Sequence, residues 1–242
     1  MDIEEECGIR IITVKLIRRE KMKRDHSDSP SCIDCAKPSC LGKGGKAPDF
    51  CLTTHMDQKV MCEALEAYQE GKNHAVMCQA AEVESEGYCK WCRVRETIEF
   101  AKRMGFHRIG IATCAGLIDE SRILARLLRH YGFEVFGISC KAGAIPKVMV
   151  GIPERCQQVG INMCNPVLQA KMLNKQKTEL NIVMGLCVGH DSLFYKYSEA
   201  LVTTLVVKDR VTGHNPAVAL YTSSSYYKHL FDIDFEEEKQ ED

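Results

Sequence analysis

The side chains able to do chemistry in this sequence are its 14 cysteines in 242 residues, and their spacing separates them into groups. Cys32, Cys35, Cys40 and Cys51 form a C-x2-C-x4-C-x10-C array. A C-x2-C pair lets two thiolates reach one ion from a single tight turn, and two further thiolates close a tetrahedral site. Gly42, Gly44, Gly45, Pro38 and Pro48 permit the turns that wrapping a metal requires. The spacing matches neither a standard zinc finger nor a common ferredoxin pattern, so zinc and a [4Fe–4S] cluster both stand open.

Cys114, Cys140, Cys164 and Cys187 form the second group, and their meaning depends on the elements that carry them. Short apolar runs at 108–112, 134–138, 181–186 and 203–207 read as buried strands. Helical stretches at 117–131, 166–174, 191–198 and 216–230 separate several of them. This alternation predicts an α/β fold, a three-layer parallel sheet with helices on both faces. Cys114, Cys140 and Cys187 each end one predicted strand, and Cys164 follows a short apolar segment at 159–163. Parallel strands end on one edge, where α/β proteins bind their ligands. Four cysteines distant in sequence are thereby expected at one site. Four thiolates suit an iron–sulfur cluster or zinc, whereas hard cations prefer oxygen. The glycines and helix starts that follow them supply backbone N–H groups that stabilise an anionic, cysteine-ligated cluster.

The elements before the sheet differ. Residues 27–54 have no amphipathic period and cannot order themselves by burial. A helix is predicted near 57–70, with Val60, Met61, Ala64, Leu65 and Tyr68 on one face, and a second across 74–104. The domain reading is an N-terminal flexible arm at 1–30, a small Cys-rich metal-binding module at 31–56, a helical segment at 57–104 and an α/β domain at 105–242. Cys62, Cys78, Cys89 and Cys92 fall in helical context and read as packed thiols. Cys7 and Cys156 have no evident partner.

Candidate catalytic residues are His190 and Asp191, which follow Cys187 closely, and His214 beyond the last strand. Asp191 is equally well explained as a helix-start acid. Cys164-Asn165-Pro166 and His214-Asn215-Pro216 repeat one device, Asn at an N-cap and Pro at N1.

The motifs of residues 109–114, 164–166, 185–194, 205–210 and 213–216, with the N-terminal C-x2-C-x4-C array, resemble a cysteine-rich family of unknown function from bacteria and archaea. Its members are described as predicted metal-binding proteins. The resemblance runs from about Glu82 to Tyr227, leaves residues 1–30 outside, and meets a cysteine at Cys92 where the family pattern has another residue. It implies metal binding and supplies no reaction.

A net charge of −1 gives no footprint for nucleic acid, and no apolar run reaches the roughly 20 residues of a membrane span. Near the N-terminus the basic residues follow the apolar stretch 9–14, the reverse of an export signal, which argues for a cytoplasmic protein. In a reducing compartment, thiols at this density serve metals or catalysis more often than disulfides. The leading expectation is an iron–sulfur protein with its cluster, a [4Fe–4S], at the strand edge, serving electron transfer or redox enzymology. The alternatives are a zinc-binding structural or regulatory protein and a cysteine-based thiol or sulfur-transfer enzyme. A redox partner protein or a small-molecule substrate is the expected partner.

Overall fold

The structure, a computed structural model of the chain, describes residues 30–35 and 39–232. These fall into two compact units that divide between Ser85 and Glu86.

The later unit is built on a four-stranded, all-parallel sheet. Its strands are β1 (Arg108–Thr113), β2 (Glu134–Ser139), β3 (Leu180–Met184) and β4 (Leu201–Val206), in the spatial order β2-β1-β3-β4. Every residue of β3 is buried, as is β1 after Arg108. That is why these strands read as mostly apolar runs rather than as alternation.

Successive side chains leave a strand on opposite faces, and each face has its own core. On one face Ile109, Ile111, Leu180, Ile182 and Met184 pack with Ile98 and Ala101 of one helix and Leu124 and Leu128 of another. On the other, Ala112, Ile138 and Val183 pack with Ala170, Leu173 and Phe194. The chain therefore has the three-layer α/β fold: a parallel sheet with helices on both faces.

The chain leaves β1 through α4 (Ile118–His130) to reach β2 on one side, then crosses back to β3 through α5 (Pro166–Lys175). It continues through α6 (His190–Tyr197) to β4. Strand order thus reverses between β1 and β3, and such a switch point opens a crevice at the strands' carboxyl ends. Helix α4 is charged to suit its dipole. In α4, Asp119 and Glu120 stand in the first turn, with Arg129 and His130 in the last.

Two helices lie before the sheet where the sequence predicts one across 74–104: α2 (Asn73–Gly87) and α3 (Arg93–Arg103). Between them Cys89 takes a positive φ of 56°, and the ring of Trp91 lies where a side chain at Gly87 would stand, 2.6 Å from an added Cβ. A non-glycine residue in that conformation carries no sequence signal, so periodicity alone runs through the break.

The earlier unit carries α1 (Gln58–Ala67) and most of α2. The stripe of Val60, Met61, Leu65 and Tyr68 forms as predicted on or beside α1, but it is exposed. Toward the C-terminus the helix predicted over 216–230 shortens to α7 (Ala217–Tyr221) and a later 3-10 turn, Lys228–Phe231. Asn215 does not cap α7 through its side chain. Pro216 holds the N-cap position, and the Asn215 carbonyl accepts from Val218 N at 3.1 Å. Among the described residues, no helix is long and apolar enough to cross a membrane.

Candidate functional site: a cysteine edge at the switch point

Cys114 is the first residue beyond β1, and its N–H donates to the Met184 carbonyl at 2.9 Å. Cys140 is the first beyond β2, donating to Thr113 O at 2.8 Å. These bonds continue the ladders past the strands and fix where both thiols begin. Cys187 follows β3 after the turn Gly185-Leu186. Gly185 has φ +70°, and an added Cβ would stand 2.1 Å from Leu117 Cδ1, so glycine spares both backbone strain and a shift of Leu117.

Cys164 arrives by a different route. The segment 159–163 is not a strand. It contains the end of a 3-10 helix, Glu154–Val159, and Asn162, which makes an isolated antiparallel bridge with Pro146. Residues 141–163 leave β2 and return as a loop, whose base is closed by Asn165 N donating to Cys140 O at 2.7 Å. Cys140 and Cys164 are the feet of that loop. Asn165 then caps α5, its side chain accepting from Leu168 N at 3.0 Å, with Pro166 at N1 as predicted.

The Cys140 thiol lies within hydrogen-bonding reach of the thiols of Cys114 and Cys164. The Ala115 N–H also donates to Cys140 Sγ at 3.3 Å. Its two sulfur neighbours push the Cys140 thiol well above the usual thiol range, as does burial. The flanking sulfurs move oppositely. Cys114 is drawn down to about 5 by its bond to Cys140, by the Gly116 amide and by the Lys208 ammonium. Cys164 is drawn down to about 3, again by Cys140 first and then by His190 and Lys141. The Cys140 thiol thus holds its proton more tightly than either of its neighbours. His190 is raised in turn, chiefly by its hydrogen bond to Cys164.

Cys187 has its own cation: Arg210 Nη2 donates to its Sγ at 3.4 Å, and the same guanidinium interacts with the charges of Cys114 and Cys164. Three cations, Lys141, Lys208 and Arg210, thus stand around the four sulfurs. None of the three cations is legible in the sequence as a sulfur partner. A charged turn carries no signal that distinguishes a solvated lysine from one facing a thiolate.

The remaining predicted residues are placed as follows. Asp191 lies in the first turn of α6, where its Oδ1 accepts from Ser192 N at 2.8 Å. His214 has a positive φ of 69° and closes a loop with Asp209: Asp209 N donates to His214 Nδ1 at 3.1 Å, and His214 N to Asp209 O at 2.8 Å. Cys62, Cys78, Cys89 and Cys92 are exposed, not packed, and Cys78 Sγ lies 3.8 Å from His74 Nε2. Cys7 lies outside the described residues. No disulfide joins the described cysteines.

In the N-terminal array, Cys32 opens one 3-10 turn, Cys32–Asp34, and Cys35 closes it, with Cys35 N donating to Cys32 O at 3.3 Å. Asp34 accepts from both the backbone and the hydroxyl of Ser31. Cys40 sits in a second turn, Ser39–Leu41. The Cys51 thiol is lowered by the amides of Thr54 and Thr53, which point at it. Among the described residues, no three His, Cys, Asp or Glu side chains stand as a ready-made ion cage, in the array or at the strand edge. The edge nonetheless fits a sulfur-ligated group in its chemistry: four soft donors, an amide N–H on one sulfur, and cations to offset thiolate charge.

A three-layer α/β protein with a cysteine-lined switch point is the class these features define. Residues 51–205 match the family described as "Protein of unknown function (DUF1847)", and the chain belongs to that family. It is 41% identical over 197 residues to the uncharacterised protein MJ0455 of Methanocaldococcus jannaschii, a match covering 81% of this chain and 95% of that relative.

Proposed function

We propose that the carboxyl edge of the sheet holds an iron–sulfur cluster through Cys114, Cys140, Cys164 and Cys187, and that the protein serves electron transfer or redox enzymology. One observation carries the reading. Four segments far apart in sequence end in cysteines on the carboxyl side of the sheet, and the Cys140 thiol is perturbed by those of Cys114 and Cys164. Such a cluster would supply one-electron chemistry at this edge.

The residues of the chain do the rest. The sheet ladders hold Cys114 and Cys140 before any ligand arrives, which lowers the ordering cost of ligation. Lys208 and Arg210 offset negative charge on the sulfurs, and the Ala115 amide reaches Cys140. Donors and cations aimed at the sulfurs of a cluster raise its potential. His190, on Cys164, is the group best placed to hold or move a proton at the site. The N-terminal Cys32, Cys35, Cys40 and Cys51 would hold a second metal, whose ligation orders a segment that has no core of its own.

Protein purified without oxygen should contain iron and inorganic sulfide and absorb at about 400 nm. Zinc without sulfide would select the structural zinc reading instead. The thiol-chemistry reading draws on the Cys164–His190 contact, a nucleophile beside a base. Protein without metal, in which Cys164 alone is alkylated rapidly, would select it.

A further inference from the structure

Behind the cysteine edge, one buried polar side chain is out of keeping with the apolar core around it. Gln169 of α5 is fully buried, beside Ala170 and Leu173 of the same helix. Its Oε1 has no partner among the described residues, so the amide bears the cost of an unsatisfied acceptor. A leucine could occupy the position with no polar group to bury. What glutamine adds is its donor. Nε2 donates to the Thr113 carbonyl at 3.1 Å and to the Ile138 carbonyl at 2.8 Å. Both neighbours are acceptors only, so the amide nitrogen, and not the oxygen, must face them.

The two bonds join three segments. Thr113 immediately precedes Cys114, and Ile138 lies two residues before Cys140. Gln169 itself sits five residues after Cys164, on the helix that Asn165-Pro166 opens. The ladder bond from Cys140 N to Thr113 O, and that from Asn165 N to Cys140 O, link the same segments in pairs. Gln169 links all three at once, from the face of the sheet.

We infer that Gln169 is a positioning residue: its amide clamps the carboxyl ends of β1 and β2 to the start of α5 and so sets the mutual placement of Cys114, Cys140 and Cys164. Its amide bonds go to backbone carbonyls and not to sulfur, so it acts through the backbone. The inference rests on reading those cysteines as the working site, but not on which ligand they hold.

The test uses the full-length chain with metal removed and the fold verified by circular dichroism. Wild type and Gln169→Met are treated with iodoacetamide, and the rate at each cysteine is read by mass spectrometry. Cys187 serves as the internal reference, because the clamp does not reach its segment. Gln169→Met should keep the fold and raise the rates of Cys140 and Cys164 relative to Cys187 by about tenfold, the size of effect expected of a residue that supports ligands. Unchanged relative rates in folded protein would overturn the inference and leave Gln169 as core filling. A uniform rise at all four cysteines would also overturn it, because that reports general loosening. If Gln169→Met does not fold, Gln169→Asn is read in the same way: it keeps the buried amide but is one methylene short of both carbonyls. Native protein without iron and sulfide would defeat the cluster reading, yet leave this result standing.

Discussion

The two four-cysteine regions solve the problem of gathering thiols in opposite ways. At the strand edge, Cys114 and Cys140 are buried and their backbones are fixed by ladder bonds that exist without any ligand. In the N-terminal array, Cys32 and Cys40 are exposed, and short 3-10 turns and glycines replace a core. A site built on a sheet is placed by the hydrophobic effect. A segment built on turns has little buried surface to hold it, and the proposed ligation would supply its order. The same number of cysteines therefore sits on a preformed edge in one region and on turns without a core in the other.

The largest expected effect separates the regions directly. If the proposed metal orders the array, chelation should raise the rate of proteolytic cleavage within 30–56 by at least about tenfold and leave 105–232 resistant. Equal protection before and after chelation would break the comparison. Core deletion should show the converse. Leu173→Ala in the α/β unit, at a fully buried position, should cost about 2–5 kcal/mol in denaturant unfolding. Leu41→Ala, at a position 68% exposed in the array, should stay within about 0.5 kcal/mol.

The strand edge also makes a prediction about pH. In metal-depleted protein Cys164 is held down to about 3, so above that pH it is a thiolate. Its alkylation rate should stay nearly flat between about pH 8 and pH 5, while Cys140, whose proton is held more tightly, reacts only as pH rises. A Cys164 rate that drops about tenfold per pH unit across that window would remove the thiolate from the site. The smallest effect concerns Arg210, an exposed partner of Cys187. Arg210→Met should change the Cys187 alkylation rate by less than about fivefold, as expected of a solvent-screened charge contact, and the change should shrink with added salt.

Much of the fold is legible in the sequence because its strands are short apolar runs with no competing period. Each of β1 to β4 lies within about two residues of its predicted bounds, the usual uncertainty of an element's ends. The edge position of Cys114, Cys140 and Cys187 follows from those strands alone. Three things are not legible, each for a physical reason. The closeness of Cys140 and Cys164 depends on a loop closed by Asn165 N to Cys140 O, a backbone bond with no residue signature. The break at Cys89 depends on a positive φ in a non-glycine residue. Gln169 looks in sequence like an ordinary polar residue on a helix. Its burial appears only once α5 is laid across the ends of two strands.

The most direct test of the central claim compares two full-length variants purified without oxygen, Cys32→Ser/Cys35→Ser and Cys140→Ser. Iron and inorganic sulfide should remain at about four of each per chain, as a [4Fe–4S] cluster requires, when the array is disrupted. In Cys140→Ser, folded by circular dichroism, they should fall by at least about tenfold, and any metal that persists should belong to the array. Iron and sulfide that survive Cys140→Ser and vanish with Cys32→Ser/Cys35→Ser would place the cluster in the N-terminal array and contradict the account.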